Sequence, residues 1–244
     1  MKKFVLVCLL LFGLTALAAP VRSMVGARNT VNAETPERWV NPYVTDGLIA
    51  MWDGEWNAGI GIHDSESTIW KDLAGNNDAT ITAPAVFGTN YMQSAKSCGS
   101  MQMYYASKSI RTIDVVVQNV KDGYVWGMTS NRGRGLVCIA NNGWHTFNNG
   151  NANDVVVECN IKDVNHITIT KTNEWLTTEC YLNGNIYTGT TKYNDWWYVG
   201  FGFGGSLNAG SVTKFYSARL YSRKLTPEEV RHNHDIDKER FNLP

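Results

Sequence analysis

The sequence predicts an all-β protein, two antiparallel sheets stacked as a sandwich with one short helix at the C-terminal end. Three observations carry that prediction. Short apolar runs rich in β-branched residues recur along the 244-residue chain, several with the period of two that puts alternate side chains on one face of a sheet. Clusters of Gly, Asn and Asp separate them, as tight turns require. A single strong helix-start signal stands near the end, at Thr226-Pro227-Glu228-Glu229. Many short strands with turns between them bury their apolar faces by packing sheet on sheet.

Taken in order, Leu48 to Trp52 is an apolar run that reads as a buried strand. Asp53 to Gly61 is loop chemistry. Ile69 to Leu73 and Ala79 to Thr82 are strand-like pieces around the turn Gly75-Asn76-Asn77-Asp78. Between Ile110 and Val117, the residues Ile113, Val115 and Val117 share one face at period two. Val155 to Cys159 and His166 to Thr170 follow the same rule. Thr178 to Leu182 meets Asn183-Gly184 before Asn185-Ile186-Tyr187 runs back, a hairpin signal because a type I′ turn needs positive φ at both central residues. Val199 to Phe203 and Lys214 to Tyr221 supply two more strands. The helix should run from Pro227 to about Lys238, with Thr226, Pro227 and Glu229 forming a capping box. Only Val230 is expected to turn inward, and the polar remainder places the helix on the surface. No internal repeat is present.

The amino end predicts export. Lys2 and Lys3 precede an apolar run from Phe4 to Leu14, and Ala16-Leu17-Ala18 supplies the small-x-small pattern of a cleaved signal peptide. Thr15 and Pro20 cut the run short of the roughly 20 residues a spanning helix needs. The expected organisation is a signal peptide over 1–18, an extended leader over 19–45 and a folded domain over 46–244. The destination is then secreted, periplasmic or cell-surface, with no membrane span once the signal is removed. Acidic and basic residues balance at 22 each, so no basic excess attracts phosphates and nucleic acid is disfavoured as a partner. Cys98, Cys138, Cys159 and Cys180 permit two disulfides in an exported chain. They serve equally well as small buried hydrophobes, and both readings stand.

Three blocks give the chain a family likeness. Gly47-Leu48-Ile49-Ala50-Met51-Trp52 is followed by Trp70-Lys71-Asp72-Leu73-Ala74-Gly75-Asn76-Asn77-Asp78-Ala79. Asn165-His166-Ile167-Thr168-Ile169-Thr170 leads into Cys180-Tyr181-Leu182-Asn183-Gly184. Phe215 to Leu225 runs into Thr226-Pro227-Glu228-Glu229-Val230. In their order and spacing they resemble the laminin-G-like, concanavalin A-like jelly-roll domains of secreted bacterial proteins. The likeness covers 46–244 and implies the architecture. For activity it implies only a set of roles: glycan or protein binding, adhesion, and in some concanavalin A-like relatives glycoside hydrolysis.

Catalysis would need a set of residues that this chain does not offer. A retaining glycosidase needs two carboxyls about 5–5.5 Å apart, yet no alternating acids share a strand. Glu228 and Glu229 belong to the helix cap, and Glu158 and Glu179 stand singly. No Gly-x-Ser-x-Gly elbow occurs, so no catalytic residue is assigned. His166 at a strand start and His232 and His234 on the helix read as members of solvated faces, and His63-Asp64 as a turn. For a sugar, two stretches combine rings with amides and carboxylates. One is the loop around Trp144, His145, Asn148 and Asn149; the other holds Asn194, Asp195, Trp196 and Tyr198. Calcium is the cofactor to consider, since relatives of the jelly-roll type often hold it and Asp53, Glu55, Asn57 and Asp64 bring hard oxygen ligands to one loop. The expected function is a non-catalytic carbohydrate-binding or adhesion module whose partner is a glycan or a surface protein. The alternatives are a structural module of an exported or phage-like assembly and, third, a divergent glycoside hydrolase.

Overall fold

From its amino end the chain lays down β1 (Leu48–Asp53), then four two-residue strands, β2 (Ile69–Trp70), β3 (Ala79–Thr80), β4 (Val86–Phe87) and β5 (Met92–Gln93). The long β6 (Thr112–Lys121) follows, then β7 (Gly123–Gly127), β8 (Gly135–Ile139), β9 (Gly143–Thr146) and β10 (Val155–Val157). β11 (Asn165–Lys171), β12 (Thr177–Leu182), β13 (Asn185–Thr190) and β14 (Val212–Tyr221) precede the helix α1 (Pro227–Phe241). The computed structural model describes residues 40–81, 85–94, 110–121, 123–127, 135–139, 143–146, 155–157, 159–171, 177–190 and 212–244.

All of these strands pair antiparallel, in the all-β sandwich the sequence predicts. The larger sheet runs β13-β12-β11-β6-β14-β5-β4, and β1 also pairs with β14. The smaller runs β10-β9-β8-β7, with β10 against β12 and β13. β14 organises the larger sheet: its first half pairs β5, its second half β1, and β6 follows it along its other edge. The Asn183-Gly184 turn joins β12 to β13 with φ of 47° and 77°, the positive values a type I′ hairpin needs. Val199 to Phe203 lies outside the described residues.

Period two decides the faces. Ile113, Val115 and Val117 of β6 share the core with Ile167, Ile169, Cys180, Leu182, Phe215, Ala218 and Leu220. Trp52 and Trp70 close it, and both are fully buried. Their ring N–H groups would be costly unpaired, and each donates to a carbonyl: Trp52 to Asn77 at 3.1 Å, Trp70 to Asp53 at 2.7 Å. On the opposite face the same strands place Thr112, Asp114, His166, Thr168, Tyr181, Arg219 and Tyr221. These too are buried, because α1 lies across them.

Here the helix departs from the surface helix expected. It has the predicted capping box, with Glu229 N–H donating to Thr226 Oγ1 and Thr226 N–H to Glu229, and it runs on to Phe241. But Asn233, His234 and Asp237 are buried with Val230. A polar helix face is buried because the sheet face beneath it is polar too. Arg219, at 0 % exposure, binds Asp114 through Nε at 2.9 Å and Asp237 through both terminal nitrogens, the Nη1 contact at 3.2 Å. Asn233 donates to Asp114 and to the Tyr221 hydroxyl, while its side-chain oxygen accepts from Val44 N–H. Tyr43, within the expected leader, is also buried: its hydroxyl donates to Asp237 at 2.7 Å and its ring lies 4.1 Å from the Arg219 guanidinium.

Removing one partner of such a network strands a buried charge, at a cost of about 3–5 kcal/mol. Arg219→Leu should therefore destabilise the fold by about that much in urea denaturation. A loss below about 1 kcal/mol would show that the two carboxylates do not depend on it.

Candidate functional site

The ion network closes the outer face of the larger sheet where α1 covers it. Its two acids are at hydrogen-bond distance from their partners throughout: Asp114 accepts from Arg219, Asn233 and Thr168, and Asp237 from Arg219 and Tyr43. Burial alone would raise the Asp114 carboxyl; Arg219 and then His166 override it and hold it well below the usual carboxylate range. The His166 Nε2 stands 2.6 Å from Asp114 Oδ1 and 3.5 Å from Asp237 Oδ2, close contacts without the alignment of a hydrogen bond. With no exposed surface, this pair of acids holds a helix and does not face a substrate.

Beyond the end of α1 the outer face changes character. The helix stops at Phe241, where Asn242 takes the left-handed cap at φ 53° and Leu243 tucks in beside Tyr216. From there a series of rings and cations crosses the sheet. The Arg240 guanidinium lies 5.0 Å from the Trp56 ring and 4.8 Å from Phe241. Phe241 packs on Tyr216 at 5.5 Å, Tyr216 meets Tyr91 edge-on at 5.7 Å, and the Lys214 ammonium sits 4.3 Å over Tyr91. Trp56, Tyr91 and Lys214 are half-buried and Tyr216 largely buried, so the rings are braced from below and open at the two ends.

Local geometry explains each position. The register of β14 shifts between Phe215 and Ser217, a bulge that keeps Phe215 in the core and turns Tyr216 outward beside Lys214. Met92 and Phe87 are core residues, so Gln93 and Val86 stand on the outer face. Val86, Gln93, Lys214 and Gln118 then pair side by side across β4, β5, β14 and β6. The Tyr216 hydroxyl donates to Gln118 Oε1 at 3.2 Å. Gly54 brings the loop after β1 against this row: its N–H donates to Tyr216 O, and a Cβ there would lie 2.5 Å from Tyr91 Cα. Only glycine fits so close an approach.

The residues selected from the sequence are placed differently. Trp144 and His145 lie in strand β9, where a loop was expected; Trp144 is in register with Cys138 and Val157, His145 with Val137 and Val156. Asn148, Asn149, Asn194, Asp195, Trp196 and Tyr198 lie outside the described residues. In the calcium loop, Asp53 Oδ1 accepts the Glu55 and Trp56 N–H groups, and Arg240 binds Asp53 Oδ2 at 2.7 Å and Glu55 at 3.2 Å. The Asn57 amide both donates to and accepts from the Asp64 backbone. These oxygens brace the loop, and among the described residues no group of three or more His, Cys, Asp and Glu could hold a metal. Asp72 serves the same purpose, accepting from the N–H groups of Met51, Ala74 and Asn77.

Cys180 carries no disulfide: it is a core thiol pushed up to about 12, first by burial and then by nearby Cys159. Cys98 lies outside the described residues. His166 and His234, expected on solvated faces, are both buried, while His232 and His63 are exposed and meet the carbonyls of Pro42 and Glu55. Sequence reasoning missed the row of rings. Its signal was the alternation Tyr91-x-Gln93 and Lys214-x-Tyr216, but no local pattern tells which strands will be neighbours.

A β-sandwich with an aromatic and cationic outer face is the class that fold and site define. No protein-family model matches the chain, and neither does any curated protein. Among solved structures it is similar to a mutant Trypanosoma rangeli sialidase displaying trans-sialidase activity, at 16% identity and a TM-score of 0.59, over 79% of this chain and 33% of that one. It is also similar to the ligand binding domain of botulinum neurotoxin serotype D, solved in complex with N-acetylneuraminic acid, at 12% identity and a TM-score of 0.52, over 79% and 51%. The chain thus spans about a third of the sialidase and about half of the toxin domain. At these identities the likeness is one of fold. Among the described residues no helix is long and apolar enough to cross a membrane.

The network also sets a pH response. The His234 ring packs 5.4 Å from that of His166 and against the β12–β13 turn, where a Cβ on Gly184 would lie 3.1 Å from it. Burial, and next the His166 ring, push its proton affinity below the ordinary 6.5; Asp235 and Asp237 oppose them without reversing the shift. The unfolded chain therefore binds a proton near that pH that the folded chain refuses, and stability falls as pH drops below about 6.5 until the folded ring titrates. His234→Gln should flatten this part of the melting-temperature profile between about pH 7.5 and 5. An unchanged slope would assign the response to other groups.

Proposed function

We propose that the chain is an exported, non-catalytic module of the laminin-G-like, concanavalin A-like jelly-roll type, and that it binds carbohydrate at a cell or matrix surface. The observation that carries this reading is the row Trp56, Arg240, Phe241, Tyr216, Tyr91 and Lys214 on the outer face, with Gln93 and Gln118 beside it. Sugars offer apolar C–H faces and directional hydroxyls, and rings flanked by amides and cations meet both needs. The rings are held by stacking and by the end of a capped helix, so little ordering remains to oppose binding. The burial of Asp114 and Asp237 against Arg219 supports a binding role over a hydrolytic one. The sialidase and toxin folds it resembles are compatible with sugar chemistry, and the reading itself rests on this chain's own residues.

A second reading has one observation in its favour. Ile60 and Ile62 stand on the loop after β1 at 45% and 57% exposure, as an assembly module with an apolar docking face would have them.

The test is a glycan array probed with the full exported chain, with calcium and again with a chelator. Tyr91→Ala and Trp56→Ala should each weaken a defined hit about tenfold, without loss of the folded circular-dichroism spectrum. If Trp144→Ala abolishes binding and these two do not, the site lies at β9. If nothing on the array is bound by folded protein, the assembly reading takes its place.

A further inference from the structure

We infer that the open end of the row selects saccharides bearing an acidic group, with Lys214 as the residue that receives it. The inference rests on the carbohydrate reading and specifies its ligand class.

No acidic partner of Lys214 is found among the described residues. Arg219 is held between Asp114 and Asp237, and Arg240 by Asp53 and Glu55. Arg223 binds Glu229 and Asp46, and Lys224 binds Glu179. The Lys214 ammonium rests instead on the negative face of the Tyr91 ring. That contact orients the charge without neutralising it. The neighbours add neutral amide groups. Gln93 and Gln118 flank Lys214 in register. Gln118 also donates to Lys162 O, which ties in the exposed loop of Lys162 beside Asp163. A ring to stack on, an unneutralised ammonium above it and amides on both sides together match a pyranose that carries a carboxylate or a sulfate. A neutral sugar would use the ring and the amides and leave the charge unanswered.

The experiment is calorimetric titration of the full chain at low and moderate salt with three probes: a galacturonic acid oligosaccharide, its carboxyl-reduced neutral counterpart, and a chondroitin sulfate oligosaccharide. At low salt the acidic probe should bind about fivefold tighter than the neutral one, and the difference should shrink as salt screens the pair. Lys214→Gln should erase the difference by weakening the acidic probe more than the neutral one, and Lys214→Arg should restore it. Preference for both anions assigns recognition to charge; preference for the galacturonate alone assigns it to the galacturonate unit, since chondroitin sulfate carries carboxylates as well. Equal affinity for acidic and neutral probes, or a preference that survives Lys214→Gln, overturns the inference and leaves the carbohydrate reading standing. Binding of none of these probes or of any arrayed glycan overturns both.

Discussion

Arg219 sits in the middle of a sheet with no surface exposed to water, and much of the molecule is arranged to make that tolerable. A guanidinium taken out of solvent must be met by opposite charge and by a hydrogen-bond acceptor for its N–H groups, or it is ruinous to the fold. Asp114 arrives from β6, one strand away in the same sheet, and fixes the register of the pair. Asp237 arrives from α1, almost at the end of the chain, and fixes the helix. Tyr43 arrives from the other end of the domain and completes the Asp237 shell. Three segments far apart in sequence thus converge on one side chain. Buried ion pairs of this kind add little net stability compared with well-packed hydrophobic residues, but they penalise misplacement of any partner. Here they say where a polar helix belongs on a polar sheet face.

That arrangement also determines what is left uncovered. α1 is pinned at Asn233 and Asp237 and ends at Phe241 with the Asn242 cap, and Arg240 reaches from its last turn to Asp53 and Trp56. The loop after β1 and the end of the helix are thereby fastened to each other. Between them and Lys214 the outer face carries rings in edge and tilted contact. The same sheet face is closed at one end by charge and open at the other with aromatic surface.

The loop after β1 shows oxygens of a type suited to a cation also serving the backbone. Acids and amides crowd it, as they would a cation site, and several of their oxygens are used at short range. Asp53 caps two N–H groups, Asn57 spans to the Asp64 backbone, and Asp64 accepts from Glu66 N–H. Short polar side chains favour turns because they can replace the backbone's missing partners.

The sequence by itself determined what depends on neighbours along the chain. The alternation of Ile113, Val115 and Val117, the Asn183-Gly184 turn and the Thr226 capping box are local signals. They made β6, the β12–β13 hairpin and the start of α1 legible from the residues alone. So was the all-β class. Two-residue strands such as β4 and β5 were not, because they exist only by pairing with β14 and each other. The strand at Trp144 was hidden by Asn and Gly on both sides, which mark turns whenever context does not overrule them. His166, His234, Asn233 and Asp237 read as solvent-facing because polarity is a property of residues, whereas burial is a property of what packs over them. Tertiary structure alone decided that Asp114, Arg219 and Asp237 would meet, and that Trp56, Tyr216, Tyr91 and Lys214 would share one face. Pairing across strands and docking of a helix are long-range choices, and no periodicity in the chain encodes which distant partner will be chosen.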